Sequence, residues 1–496
     1  MNRRVVLAIC AALGAAACGS GSGTPTDKPT TVTIGFAEKI VTLDPDQAVD
    51  QTSLAALHLI NGNMYSLGRD GNVTPLLVES GNASPDGRQW TFQLKSGLKF
   101  SDGSPLTSAD IAATFARAKS DEANAYAGFV EPISSIDTPT PTTAIFHLSR
   151  PYPSLPVVLS QPEMSIFPAA KVREKDFFNA PISAGPFALI NWGGGPTATF
   201  TRNSHYAGTL PRTESVALRT IADFNTRLAQ VQSGQLDFAY DIPPSLLPHV
   251  PGSLTATLTP LYGFISIPLN NSKPPLDEVG VRRAISAAID RQQINQTIWN
   301  GKSVPLAGFW PSTMTGYDPS IPTTPDVAAA KSDLAGTSCA RGCTVSLMYS
   351  SADTWADPMA QIIAQNLSRI GITVKLDKVD DATVNQRLGD ESFQMAETFL
   401  YDYNDVPDGM LTYALDPDGG LNANFTGFQP PPQLRAAVTT AITRGGSARA
   451  DALAEVTRLF RQYQPFVTLL THVVGTVSRL PDDLVSLDSG GFVDIG

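Results

Sequence analysis

Charge is scarce in this chain. Asp, Glu, Lys and Arg make up 16% of its 496 residues, and the basic sign is the scarcer, 35 residues against 46 acidic. A chain so short of Lys and Arg cannot neutralise many phosphates, which excludes nucleic acid as a partner. Histidine is scarcer still. His58, His147, His205, His249 and His472 are scattered without HExxH or any other metal-ligand spacing, and no Gly-x-Ser-x-Gly elbow or phosphate loop occurs. The expectation is therefore a protein that is not an enzyme and holds no cofactor or metal. No apolar run is long either. The longest, Val5 to Ala17, falls short of the roughly 20 residues that span a bilayer.

Hydrophobic residues are not scarce. At 42% they mark a globular chain, and 496 residues exceed what one core organises, so two or three lobes are expected. The formal charge is −11. Without the first seventeen residues it becomes −13, with 33 basic and 46 acidic residues left, which mildly favours cationic ligands.

The N-terminus reads as an address. Arg3-Arg4 precede the apolar run, and Ala15-Ala16-Ala17 lead to Cys18. Residues 1–17 then form a signal peptide, and cleavage before Cys18 resembles lipoprotein processing, in which the thiol receives a lipid anchor. Simple cleavage beside an incidental cysteine is the alternative. Residues 18–30, rich in Gly and Ser, form a flexible tether. With Cys10 in the signal and Cys18 as anchor, Cys339 and Cys343 remain as a pair. In an exported chain they read as a local disulfide, since a zinc site would lack further ligands nearby.

The densest pattern lies between Pro75 and Phe115. Trp90, Phe92 and Leu94 alternate as a half-buried strand does, Asp86-Gly87 and Asp102-Gly103 mark turns, and Thr107 with Asp110 forms a capping box before a helix carrying Ile111 and Phe115. A helix is expected earlier, over Ser53 to Met64. Later, Asn225 to Gln232 reads as a helix closed by Gly234, and Val281, Ile285, Ala288 and Ile289 stripe another. Asp357-Pro358 opens a helix with Asp at the cap, followed by Gly371 and the strand Ile372 to Leu376.

These words, in this order, resemble the family 5 extracellular solute-binding proteins, the peptide- and nickel-binding receptors of ABC importers. Beside Pro75–Phe115, the resemblance runs through Ser183–Leu189, Asn225–Asp237, Lys273–Arg291 and Phe399–Asp405, and covers roughly residues 31 to 480. It implies an α/β, type II periplasmic-binding-protein fold with two main lobes, an inserted subdomain and a ligand cleft between the lobes. Lobe one would comprise 31–47, 184–262 and 466–496. Residues 48–183 would be the inserted subdomain and 263–465 lobe two. The implied function is capture of di- to oligopeptides by a monomer, anchored to the outer face of the cell membrane. Its partners would be an ABC permease and that permease's ATPase subunits.

The resemblance places the ligand's α-ammonium on Asp402, flanked by Tyr403, Asn404 and the aromatic Phe399. Asn270 and Tyr262, where the chain crosses between lobes, are expected at the cleft rim, with strand packing as the alternative. Asp380, Asp381, Asp405 and Asp408 read as solvated surface acids. A metal chelate, an oligosaccharide or a glycopeptide is the alternative ligand, and a non-transport envelope lipoprotein the alternative function.

Overall fold

The computed structural model describes residues 31–68, 73–351, 355–401, 407–415 and 426–496. Cys18, the tether, Asp402, Tyr403 and Asn404 lie outside these residues. Among the described residues no helix is long and apolar enough to cross a membrane.

The pattern between Pro75 and Phe115 builds a small core of its own. Gln89–Leu94 is a strand of an antiparallel sheet ordered Val78–Ala83, Gln89–Leu94, Thr143–Leu148, Ile133–Thr140. Phe92 is fully buried and meets Phe146 edge-on at 5.1 Å, and Phe146 meets Phe115 of the helix Ser108–Ser120 at 5.4 Å. That helix carries the expected cap, the Thr107 N–H donating to Asp110 Oδ2 at 2.7 Å.

An eight-stranded sheet runs through the rest of the molecule. Its order is Thr398–Tyr401, Thr255–Pro268, Phe466–Ser478, Phe238–Ala239, Thr31–Phe36, Ser215–Thr220, Thr197–Arg202, Phe187–Asn191. Thr31–Phe36 pairs in parallel with both its neighbours, while the other pairings are antiparallel. Thr255–Pro268 and Phe466–Ser478 lie side by side and feed several cores at once. Leu261 and Val474 join the core around Ile34, Leu57 and Phe200. Phe264 and Phe466 join one around Phe309 and Phe460, and Ile265, Ile267, Leu469 and Leu470 one around Ile285, Leu347 and Ile363. A three-stranded parallel sheet, Ile372–Val379, Cys343–Ser350, Met395–Ala396, completes the last of these. At its start Cys339 and Cys343 are joined by a disulfide, Cα to Cα 5.0 Å.

Two arginines fasten the strand Phe466–Ser478 and the chain leading into it to this core without any carboxylate. Arg291 is 2% exposed. Its Nε donates to the Thr468 carbonyl at 2.9 Å, and its Nη atoms to the carbonyls of Ser286 and Ile289 and to Ser286 Oγ. Arg282 reaches the carbonyls of Tyr463, Gln464, Leu276 and Asp277 in the same way. Burial draws both guanidinium groups down to about 10, leaving them charged at neutral pH.

Two expected helices start or stop elsewhere. The first runs Gln51–Ile60 rather than Ser53 to Met64, capped by Asp50, whose carboxylate accepts from the Ser53 N–H at 2.8 Å. It stops because the Ile60 carbonyl, which a further turn would use, accepts instead from the Gly185 N–H at 3.1 Å and from Ser183 Oγ. Gly185 is required there: a Cβ would lie 2.1 Å from the Ile60 carbonyl carbon. The helix Ala356–Ser368 begins one residue before Asp357. Asp357 is drawn off the cap by the Tyr349 hydroxyl at 2.7 Å and Lys378 Nζ at 3.3 Å. Gly234, at φ +78°, closes Phe224–Ser233 as expected.

Candidate functional site

Thr398–Tyr401 is the edge strand of the large sheet, and its register fixes which side chains face outward. Phe399 pairs with Ile265 and Leu400 with Phe264. Leu400 packs into the core around Phe309, so Phe399 takes the opposite face, where it remains 45% exposed. Among the described residues, few large apolar side chains are so open.

The Phe399 ring lies 5.3 Å from that of His472 with the planes 27° apart. His472 Nδ1 has no hydrogen-bond partner, and burial pushes the imidazole down to about 4, so it is neutral at physiological pH. The two rings make an uncharged, flat surface at the edge strand, immediately before residues 402–406.

The two residues expected at the rim sit deeper. Asn270 has no exposed surface: its Nδ2 donates to the Glu391 and Phe393 carbonyls at 3.0 and 3.2 Å, and its Oδ1 accepts from the Ser272 N–H at 3.1 Å. Tyr262 is 8% exposed, packs in the core around Phe309, and donates its N–H to the Ser489 carbonyl at 2.8 Å. Both residues brace the strand Thr255–Pro268 and the turn that follows it.

The helix Pro407–Leu415 follows residues 402–406 and lies against the 48–183 segment at Ala127–Val130. Asp408 was expected among the solvated acids and is instead buried. Its Oδ1 accepts from Arg449 Nη2 at 2.7 Å and its Oδ2 from the Ser154 hydroxyl. Burial raises its pKa although Arg449, Ser154 and Arg150 oppose the shift. The sequence carries no sign of this, because an acid in the first turn of a helix is already explained by the helix dipole. Asp380, by contrast, caps the helix Asp381–Gly389 on the surface.

A second concavity, of about 460 Å³, lies between Gln51–Ile60, the turn at 160–162 and the C-terminal hairpin. Within it His58 Nε2 meets Asp494 Oδ1 at 3.4 Å. Burial draws His58 down, but Asp494 and Asp488 outweigh it and its pKa is raised. Burial and the Asp494 charge push Asp488 up to about 6. The partnerless amide oxygens of Asn61, Asn63 and Gln161 are sealed within its wall and offer nothing to its open space. Among the described residues no group of three or more His, Cys, Asp or Glu is placed to hold a metal ion.

Comparison with known proteins agrees with the sequence pattern. The profile described as bacterial extracellular solute-binding proteins, family 5 Middle, matches residues 72–422. The protein named "Probable D,D-dipeptide-binding periplasmic protein DdpA", from Escherichia coli K12, is 28% identical over 378 residues, covering 73% of each chain. Two solved structures share the fold. NikA from Brucella suis, with Fe(III)-EDTA, has a TM-score of 0.83 at 21% identity over 94% of this chain and all of its own. DppA from Helicobacter pylori, with the peptide STSA, has 0.79 at 19% identity over 94% of this chain and 98% of its own.

Proposed function

The chain belongs to the family 5 bacterial extracellular solute-binding proteins, and we propose that the solute it captures is a short peptide. As a member it is the substrate-binding protein of an ABC importer and works outside the cytoplasm. The 28% identity to a protein named for D,D-dipeptides, over nearly three quarters of both chains, carries the ligand class.

On this reading the lobes divide as the sequence suggests, with 48–183 an inserted subdomain, and ligand lies between lobes. Asp402 provides the counter-charge for the peptide's α-ammonium, with Tyr403 and Asn404 beside it. Phe399 and His472 supply the adjacent flat surface. A neutral His472 suits that role, since an imidazolium there would repel the ammonium. Peptide recognition through the terminus and backbone serves a receptor well, because those groups are common to every sequence. At the N-terminus, Cys18 carries the lipid that tethers the receptor to the membrane.

The test is calorimetry with a dipeptide pool on the wild type and Asp402→Ala. Leaving a buried ammonium unpaired costs about 3–5 kcal/mol, so the variant should bind at least a hundredfold more weakly. Equal affinity would remove Asp402 from the site.

A further inference from the structure

We propose that Ser154, Asp408 and Arg449 form a latch that holds the 48–183 segment against lobe two when ligand is captured. They are positioning residues for capture. The inference rests on the reading above, that ligand is enclosed between lobes.

Ser154 and Asp408 are 254 positions apart, and each is about 5% exposed. Arg449 belongs to the helix Gly446–Tyr463, on the Asp408 side of the contact. The surfaces around them meet in ordinary contact. Pro407–Leu415 lies against Ala127–Val130, where a Cβ on Gly128 would come within 3.9 Å of Thr412 Cγ2. Arg150 lies over the Tyr152 ring at 5.5 Å and pairs with Glu131 at 3.7 Å, adding a positive field toward Asp408 from the 48–183 side.

With the segments apart, Asp408 would keep Arg449 and gain water. Bringing them together strips that water from a carboxylate, a cost that Ser154 and the field of Arg150 offset in part. Burial still outweighs them, as the raised pKa of Asp408 shows. A contact that satisfies both carboxylate oxygens and yet carries a desolvation cost gains less from closing than an uncharged one would. The ligand's own contacts then decide whether the latch engages.

The latch also sits where it can respond. Asp408 lies on the helix that directly follows residues 402–406, so the proposed ammonium site and the latch share one stretch of chain. Ser154 caps the one-turn helix Leu155–Val158, its carbonyl accepting from the Val157 and Val158 N–H groups, which fixes the position of its hydroxyl.

Hydrogen exchange and small-angle scattering on the full chain test this, using wild type, Ser154→Ala and Ser154→Trp, each stripped of ligand and then given a dipeptide pool. In wild type the pool should protect residues 150–158 and 407–415 together and make the molecule more compact. Ser154→Trp, whose indole cannot enter that buried site, should stay expanded and exchange rapidly at both segments with or without the pool. The helix Gly446–Tyr463 should be unaffected. Ser154→Ala should release dipeptide about tenfold faster with association unchanged, the ~1.4 kcal/mol of one hydrogen bond to a buried carboxylate.

Equal protection of both segments in wild type and Ser154→Trp once the dipeptide pool is added would overturn the latch. So would loss of protection that spreads to Gly446–Tyr463, which would mark an ordinary folding contact. If the pool changes nothing in wild type while Ser154→Trp alone frees the two segments, the peptide reading fails and the contact itself stands.

Discussion

Replacing Arg291 by Met should destabilise the fold by about 3 kcal/mol, for a reason specific to how the strand Phe466–Ser478 is held. The wild-type guanidinium makes four hydrogen bonds, to three carbonyl groups and Ser286 Oγ. Methionine fills similar space and relieves the burial of a charge, a gain of several kcal/mol. It also leaves those four acceptors without their buried donor, at about 1–3 kcal/mol each. Four such losses sum to roughly 4–12 kcal/mol, and against a gain of several kcal/mol they leave a net cost on the order of 3 kcal/mol. Arg291→Lys tests the geometry separately from the charge, because one ammonium cannot reach acceptors spread over Thr468, Ser286 and Ile289, and it deprotonates more readily when buried. Its deficit should widen above pH 8. Urea unfolding followed by tryptophan fluorescence reads both, since Trp299 lies in the same core. A change under 1 kcal/mol for both variants would refute the view that this arginine fastens the strand.

Three further outcomes follow from the geometry. Arg117 alone serves both Asp44 and Asp46, and burial pushes Asp46 up to about 7. The folded state therefore holds a proton that the unfolded chain releases near 4. That stabilisation is complete below about pH 4 and is lost as pH rises through about 7. Between pH 5 and 8, wild type should lose about 2 kcal/mol relative to Asp46→Asn in thermal melts, and parallel curves would contradict this. Opening the Cys339–Cys343 loop with a Cys→Ser pair should cost about 2 kcal/mol by the chain-entropy relation, and a Tm indifferent to reductant would count against it. Phe399→Ala should weaken dipeptide binding by about 1–2 kcal/mol and leave stability nearly unchanged, because its ring is half exposed. A large drop in Tm with affinity intact would make it a packing residue.

Local chemistry was legible wherever one face of an element is buried. The alternation of Trp90, Phe92 and Leu94, the Thr107–Asp110 box and the Gly234 stop each describe a structure set by neighbours in sequence. The helix end at Ile60 was not legible, because Gly185 and Ser183 terminate it from 120 residues away. The burial of Tyr262 and Asn270, expected either at a rim or in strand packing, was not legible for a related reason. Strands buried on both faces carry no alternation to separate a rim residue from a packing one. At the candidate site Phe399 stood out in the sequence, but His472 did not, since its neighbour across the fold is 73 positions away. The burial of Asp408 involves Ser154, the cap of a short helix 254 positions away, and no local pattern encodes that meeting.

The central claim, a receptor whose cleft takes short peptides, is tested most directly by native mass spectrometry of the purified protein before and after mild denaturation, and after reloading with a dipeptide pool. The account predicts retained masses that fragment as peptides of a few residues, with retention lost in Asp402→Ala. Retention of a metal chelate, glycan or lipid, with no peptide held even after reloading, would contradict it.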